Sequence, residues 1–144
     1  MGVLRLAMRR YFWMILAAAA LCGAARNLSI HNIPPSDAER LVAEGGVLIL
    51  DVRTPKEYEG GHLPGAKLFP ILEMSKRISG LPADKTQPIL VYCGTGVRSA
   101  KAAHALYRNG YRDIYNLIGG LRAWVAAQKP IQVPVPNGKT SSVP

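Results

Sequence analysis

The sequence is poor in cysteine, in acidic residues and in long hydrophobic runs. Only two of its 144 residues are cysteine, Cys22 and Cys93. Nine acidic residues stand against 18 lysines and arginines, and none of the acids precedes Asp37. The apolar run at residues 11–25 is 15 residues long, whereas a helix that spans a bilayer needs ~20. The cysteine count excludes a disulfide-rich scaffold, and the apolar run is short for an ordinary transmembrane helix.

The N-terminal segment instead has the three parts of a secretory signal peptide. Arg5, Arg9 and Arg10 precede the apolar run, and small residues stand at positions 23–25. We therefore expect residues 1–25 to be a signal peptide and the protein to be exported, to the periplasm or another compartment outside the cytoplasm. The alternative is an uncleaved signal anchor that tethers the domain to a membrane. Cleavage would lower the net charge from +9 to +6, because three arginines leave with the segment.

Further absences restrict the function. The sequence has no lysine- or arginine-rich run and no basic residues interleaved with aromatic ones, so we expect no nucleic-acid partner. His31, His62 and His104 do not have the spacing of metal ligands, so we expect no metal. Removal of Cys22 with the signal segment leaves Cys93 alone. A lone cysteine cannot form an intramolecular disulfide, and it is either a small buried hydrophobe or a working thiol.

Residues 27–128 alternate between strand-like and helical patterns. The predicted strands are 27–33, 47–52, 67–69, 89–92 and 114–117, and the predicted helices are 37–44, a short one capped by Thr54, 72–78, 99–109 and one after 119–120. This alternation predicts one α/β domain, a mainly parallel sheet with helices on both faces. Residues 129–144 are rich in proline and small polar residues, and we expect them to be disordered. The strands ending near Asp51 and Cys93 place both residues at the sheet edge where such folds bind ligands.

Cys93 opens a tight loop between a strand and a helix, and the loop continues with Gly94, Thr95, Gly96, Val97 and Arg98. The glycines allow the backbone to turn its N–H groups inward and form an anion-binding concavity. The Arg98 guanidinium can pair with an oxyanion, and Ser99 is expected to cap the helix and donate its hydroxyl. A thiol in such surroundings has a lowered pKa and becomes a reactive thiolate. The alternative is a buried core cysteine followed by an ordinary glycine turn.

Four segments of the chain together resemble a single-domain rhodanese. They are residues 48–53 (LILDVR) with Glu57 and Tyr58, residues 61–66 (GHLPGA), residues 91–99 (VYCGTGVRS) and residues 119–124 (GGLRAW). They stand in the family's order within residues 27–128. With its signal-like N-terminus, the chain is similar to the exported rhodaneses of the phage-shock-protein E type.

The resemblance implies a sulfurtransferase without metal or organic cofactor. Cys93 matches the family's nucleophile, which takes the outer sulfur of a small anionic donor and becomes a persulfide. Thiosulfate is the donor we expect, and the acceptor is cyanide, a thiol or a protein. The loop N–H groups of residues 94–97, together with Arg98 and Ser99, would hold the persulfide and the leaving oxyanion.

Two other functions remain open. Phosphatases of the same fold have five residues between cysteine and arginine, whereas here four intervene, which suits a sulfur atom better than a phosphate. A sulfur carrier or binding module without turnover would also keep Cys93. The donor is open as well, because Gly94 and Thr95 stand where thiosulfate-preferring two-domain rhodaneses carry basic residues, whereas Arg98 favours an anionic donor.

Four residues near the site are predicted to be architectural. By the same resemblance, Asp51 and Arg53 tie loops together through ion pairs and hydrogen bonds, since buried charges are normally paired. Glu57 is expected to join Arg53, and His62 to pack or hydrogen-bond rather than transfer protons. The sequence predicts no particular oligomeric state.

Overall fold

The computed structural model describes residues 30–134 and 140–143. The predicted signal segment, residues 1–25, lies outside the described residues. The strands are β1 (Ile30–Ile33), β2 (Leu48–Asp51), β3 (Lys67–Leu68), β4 (Ile89–Tyr92), β5 (Ile114–Leu117), β6 (Ile131–Pro134) and β7 (Thr140–Val143). The helices are α1 (Pro35–Glu44), α2 (Pro55–Glu59), α3 (Met74–Arg77), α4 (Val97–Arg108) and α5 (Gly120–Ala126).

Five strands form one sheet in the order β1-β5-β4-β2-β3, and every neighbouring pair is parallel. β2 and β4 lie at its centre and are buried along their whole length. Their apolar residues form near-continuous runs, as expected for strands covered on both faces. The predicted parallel α/β domain is confirmed.

Helices cover both faces of this sheet. On one face, Leu50 and Val91 pack with residues of α4, including Leu106, and with Met74 of α3. On the opposite face, Leu90 packs with residues of α1 and α5, including Ala38 and Trp124. Successive strand residues alternate between these two cores because side chains along a strand point to opposite faces.

The start of α2 follows from its local sequence. The Thr54 hydroxyl accepts a hydrogen bond from the Glu57 backbone N–H, and the Glu57 carboxylate accepts one from the Thr54 backbone N–H. This reciprocal pair satisfies two amide donors that a helix N-terminus leaves without partners. Pro55 occupies the first turn, where a missing N–H costs nothing.

Two predicted helices have different boundaries. The helix expected at 72–78 is broken into a 3-10 turn Ile71–Glu73, α3 and a second 3-10 turn Ile78–Gly80. The helix expected to begin at Ser99 begins at Val97, with Gly96 before it in a left-handed conformation, φ 94°. Glycine adopts this conformation without steric cost, so the helix can begin two residues earlier than predicted.

The prediction that residues 129–144 are disordered is wrong where the structure describes them. β6 pairs antiparallel with β7, and the backbone of its residue Gln132 exchanges two hydrogen bonds with His62, at 2.9 and 2.8 Å. The Gln132 side chain accepts from the Gly65 N–H, and the Trp124 indole donates to the Pro130 carbonyl. Composition misled the prediction because it does not show the contacts with His62 and Gly65, which lie far from this segment in the sequence. Within the described residues, no helix has the length and apolarity to cross a membrane.

Candidate active site

Cys93 follows the last residue of β4 and has no solvent-exposed surface. Its Sγ accepts a hydrogen bond from the Gly96 N–H at 3.1 Å, because the loop turns back over the sulfur. The thiol is therefore buried and hydrogen-bonded by its own loop.

Hydrogen bonds to its sulfur shift the pKa of Cys93. Burial is the largest single effect and raises the pKa, but donors from Ser99, Thr95 and Gly96 together outweigh it, so the pKa lies below that of an ordinary thiol. A thiolate that accepts several hydrogen bonds is favoured over the thiol. The loop therefore stabilises the nucleophilic form of the cysteine.

Ser99 does not cap the helix, contrary to expectation. It lies inside the first turn of α4, where its hydroxyl donates to the Gly96 carbonyl at 3.1 Å and lies 3.6 Å from Cys93 Sγ. The helix starts at Val97 and Gly96 holds the cap position, so Ser99 lies three residues too late for a cap. Its side chain is buried beside the sulfur instead.

The two loop glycines differ. A Cβ atom on Gly96 would lie 3.2 Å from the Gly119 nitrogen, and its positive φ disfavours any other residue. A Cβ on Gly94 would meet only ordinary contacts, the nearest 3.5 Å from Arg98 Nη2. Only Gly96 therefore needs to be glycine for the backbone to turn inward. The Thr95 side chain is exposed, and Val97 is 64% exposed.

The N-terminus of α5 donates backbone hydrogen bonds to the cysteine loop and packs against it. The Leu121 N–H donates to the Cys93 carbonyl at 2.8 Å, and the Arg122 N–H donates to the Gly94 carbonyl at 3.1 Å. Gly120 sits directly against the loop backbone. These contacts are not among those expected from the sequence, although the double glycine at 119–120 is a signal for a close backbone approach.

Arg98 and Glu57 form a two-pronged ion pair. Arg98 Nη2 lies 2.6 Å from Glu57 Oε1, and Nη1 lies 2.9 Å from Oε2. The predicted pairing of Glu57 with Arg53 is wrong, because the short helix α2 points the carboxylate at α4. The hydrogen bonds from Arg98 lower the pKa of Glu57 to about 2, and the same contact raises the pKa of Arg98.

A buried polar network lies beneath the loop. Asp51 has no exposed surface and pairs with Arg53, whose Nη2 lies 2.6 Å from Oδ2 and also donates to the Gly61 carbonyl. The Tyr92 hydroxyl donates to Asp51 Oδ2 at 2.6 Å and accepts from the Leu63 N–H. Burial, followed by the Asp51 charge, raises the pKa of Tyr92. The network joins the ends of β2 and β4, since Tyr92 directly precedes Cys93.

His62 is buried and contacts Tyr58. Its ring stacks on Tyr58 with 3.8 Å between centroids, and Nδ1 lies 3.1 Å from the Tyr58 carbonyl oxygen. Among the residues the structure describes, no three His, Cys, Asp or Glu side chains are grouped so that they could hold a metal ion.

The parallel sheet and the buried cysteine, held in a turn between β4 and α4, define a class of α/β domains. The chain belongs to the rhodanese-like domain family, whose model matches residues 34–127.

Relatives from several bacteria share this domain. A sulfurtransferase of Allochromatium vinosum is 36% identical over 97 residues, covering 67% of this chain and 89% of the relative. The thiosulfate sulfurtransferase GlpE of Coxiella burnetii is 36% identical over 93 residues, 62% of this chain and 82% of that protein. The protein YqhL of Bacillus subtilis is 43% identical over 76 residues, and the chain spans only 59% of its length.

A solved structure shows the same fold. The rhodanese-like domain of the Alr3790 protein from Anabaena, determined by solution NMR, has a TM-score of 0.66 and 28% sequence identity. The match covers 75% of this chain and 86% of that domain.

Proposed function

We propose that this protein is a rhodanese-type sulfurtransferase in which Cys93 carries the sulfur as a persulfide. The observation that carries the proposal is the ring of N–H and hydroxyl donors around the Cys93 sulfur, closed by the Gly96 N–H at 3.1 Å. These donors stabilise the attacking thiolate, and they would equally stabilise the terminal sulfur of a persulfide.

The reaction is a double displacement. The Cys93 thiolate attacks the outer sulfur of thiosulfate, a new S–S bond forms, and sulfite leaves with the electron pair of the broken bond. A cyanide ion or a thiolate then attacks the outer sulfur and leaves with it, which restores the Cys93 thiolate. The thiosulfate sulfurtransferase relatives support thiosulfate as the donor.

Arg98 and the loop amides are proposed to hold the donor. The guanidinium has five N–H donors, and Glu57 accepts from two of its nitrogens. An oxyanion could engage the remaining ones beside the loop. The four residues between Cys93 and Arg98 leave a small cradle, which fits a sulfur atom.

A donor panel with Cys93→Ser as control tests this function. We expect thiosulfate to add one sulfur to the wild-type protein by intact mass and cyanide to remove it repeatedly, while Cys93→Ser neither gains sulfur nor turns over. Sulfur uptake followed by a single release would instead indicate a carrier. Hydrolysis of an aryl phosphate without sulfur uptake would indicate a phosphatase.

Export is the second part of the proposal. The basic, apolar and small-residue parts of residues 1–25 support a signal peptide, and the protein would then work in the periplasm or another exported compartment. Cell fractionation with mass spectrometry should find a form that lacks the first ~25 residues. A full-length membrane-bound form would indicate a signal anchor, and a full-length cytosolic form would refute export.

A further inference from the structure

The positive charge beside the nucleophile is already neutralised. Arg98 donates two short hydrogen bonds to the Glu57 carboxylate, at 2.6 and 2.9 Å. Such bidentate pairs have the strongest geometry available to an arginine. An anionic donor therefore meets an ion pair at this loop rather than an unopposed guanidinium.

This ion pair stands directly over the cysteine loop. A Cβ atom on Gly94, the residue after the nucleophile, would lie 3.5 Å from Arg98 Nη2 and 4.0 Å from Glu57 Oε1. Both side chains are a little more than one-third exposed, at 38% and 37%. The Glu57 carboxylate therefore lies beside the loop backbone at Gly94. It is also partly exposed to the solvent from which a donor arrives.

The carboxylate is held independently of the arginine. Glu57 Oε2 accepts from the Thr54 backbone N–H at 3.0 Å and from the Thr54 hydroxyl at 2.9 Å. These bonds belong to the capping of α2 and persist wherever the Arg98 side chain points. The negative charge is therefore the stationary member of the pair, and the long arginine side chain is the movable one.

We propose that Glu57 sets donor specificity by opposing the second negative charge of a dianionic donor: thiosulfate remains a donor, but its kcat/KM is held down relative to that of a less charged donor such as an alkyl persulfide. This inference rests on the proposed sulfurtransferase function. With an alkyl persulfide, the Cys93 thiolate bonds to the outer sulfur, the donor's S–S bond breaks, and an alkyl thiolate leaves with the electron pair. The proton stays on the transferred sulfur, so atoms and charge balance without a further reactant.

Glu57→Gln tests the proposal because glutamine keeps one oxygen that can accept from the Thr54 backbone N–H, whereas it loses the negative charge and one of the two acceptors that face Arg98. The matched control is Glu59→Gln, which removes an exposed carboxylate from the same helix. We expect Glu57→Gln to raise kcat/KM for thiosulfate roughly fivefold, the effect of one charge at close range in a water-like dielectric. The gain should lie in KM, whereas kcat/KM for 2-hydroxyethyl persulfide should stay constant. Glu59→Gln should change kcat/KM for neither donor.

A second readout does not depend on sulfur transfer. Removing the carboxylate should lower the pKa of Cys93, measured by the pH dependence of iodoacetamide alkylation, because one less negative charge opposes the thiolate. Glu59→Gln should leave this pKa unchanged.

Two outcomes would overturn the inference while leaving the proposed function intact. In the first, wild-type Cys93 forms a persulfide, but the ratio of kcat/KM for thiosulfate to kcat/KM for 2-hydroxyethyl persulfide is the same in Glu57→Gln as in the wild type. The other is an equal fall of kcat for both donors, which would make Glu57 a residue that only positions Arg98. If neither donor forms a persulfide on the wild-type protein, the proposed function itself fails.

Discussion

Gly120 lies against Cys93 so closely that a Cβ atom on the glycine would overlap the Cys93 carbonyl oxygen. The same atom would also overlap the backbone of Gly94 and Thr95. The first turn of α5 is thereby pressed onto the cysteine loop, and the amides of Leu121 and Arg122 reach the loop carbonyls. The conformation of the nucleophile loop depends on a residue 27 positions later in the chain.

Gly120→Ala should displace the loop and reduce sulfur transfer. The added methyl group meets backbone atoms that cannot rotate away, and the residue has φ 57°, which alanine disfavours. We expect kcat/KM to fall at least ~10-fold, since small misplacements of reacting groups are costly, and the free energy of unfolding to fall by about 1–3 kcal/mol. Gly80→Ala is the control, because a Cβ there meets nothing within 4 Å. Equal activity in the two variants would contradict the bracing role.

Tyr92→Phe should destabilise the domain without removing the nucleophile. The hydroxyl donates to Asp51 and accepts from the Leu63 N–H in a fully buried setting. Its loss leaves that amide without its partner, which costs about 1–3 kcal/mol in urea denaturation. Tyr107→Phe, at a residue that is 43% exposed, should change the unfolding free energy far less. Similar losses in both variants would refute the network's contribution.

The Glu57–Arg98 pair should contribute stability that depends on pH. Arg98 holds the pKa of Glu57 at about 2, below its ordinary value of 4.5. A carboxylate with a depressed pKa stabilises the fold above the unfolded value, and this contribution is lost as the pH falls from about 4.5 towards about 2. Because the pair is partly exposed, the effect should stay below about 1 kcal/mol.

The measurement compares urea midpoints of the wild-type protein and Glu57→Gln. The wild type should have the higher midpoint at about pH 6, and the difference should shrink at about pH 3 as protonation begins. Glu59→Gln should show no such pH-dependent difference. A difference that is constant across this range would show that the ion pair does not titrate as described.

Deletion of residues 130–144 should destabilise the domain. The truncation removes β6 and with it the partners of the Trp124 indole, of both His62 backbone groups and of the Gly65 N–H. At about 1 kcal/mol for each hydrogen bond, the loss should be about 2–4 kcal/mol in urea denaturation. Gln132→Ala removes only the Gly65 contact and should cost less. An unchanged urea midpoint after truncation would show that β6 does not stabilise the domain.

Features built from neighbouring residues could be predicted from sequence. The alternation of strand and helix patterns predicted the parallel sheet, and Thr54, Pro55 and Glu57 predicted the start of α2. The glycines after Cys93 predicted the inward turn, which Gly96 makes. In each case the contacts join residues a few positions apart, so local geometry is sufficient.

Features that join distant segments could not be predicted. The assignment of Glu57 to Arg53 followed their closeness in sequence, whereas its partner Arg98 lies 41 residues away. Ser99 was expected to cap a helix whose start was misplaced by two residues. The prediction of disorder for the tail rests on composition. Composition does not show that the backbone of His62 forms hydrogen bonds with Gln132.

The sequence by itself determined the class of fold and the turn that follows Cys93, the proposed nucleophile, because apolar periodicity and glycine conformations act locally. Tertiary structure alone decided that Glu57 pairs with Arg98, that the first turn of α5 supports the loop after Cys93, and that β6 pairs with the backbone of His62. Those contacts arise from the strand order of the sheet, which brings α2, α4 and α5 to one edge. No local pattern encodes that order, since it is selected by the burial of both sheet faces together.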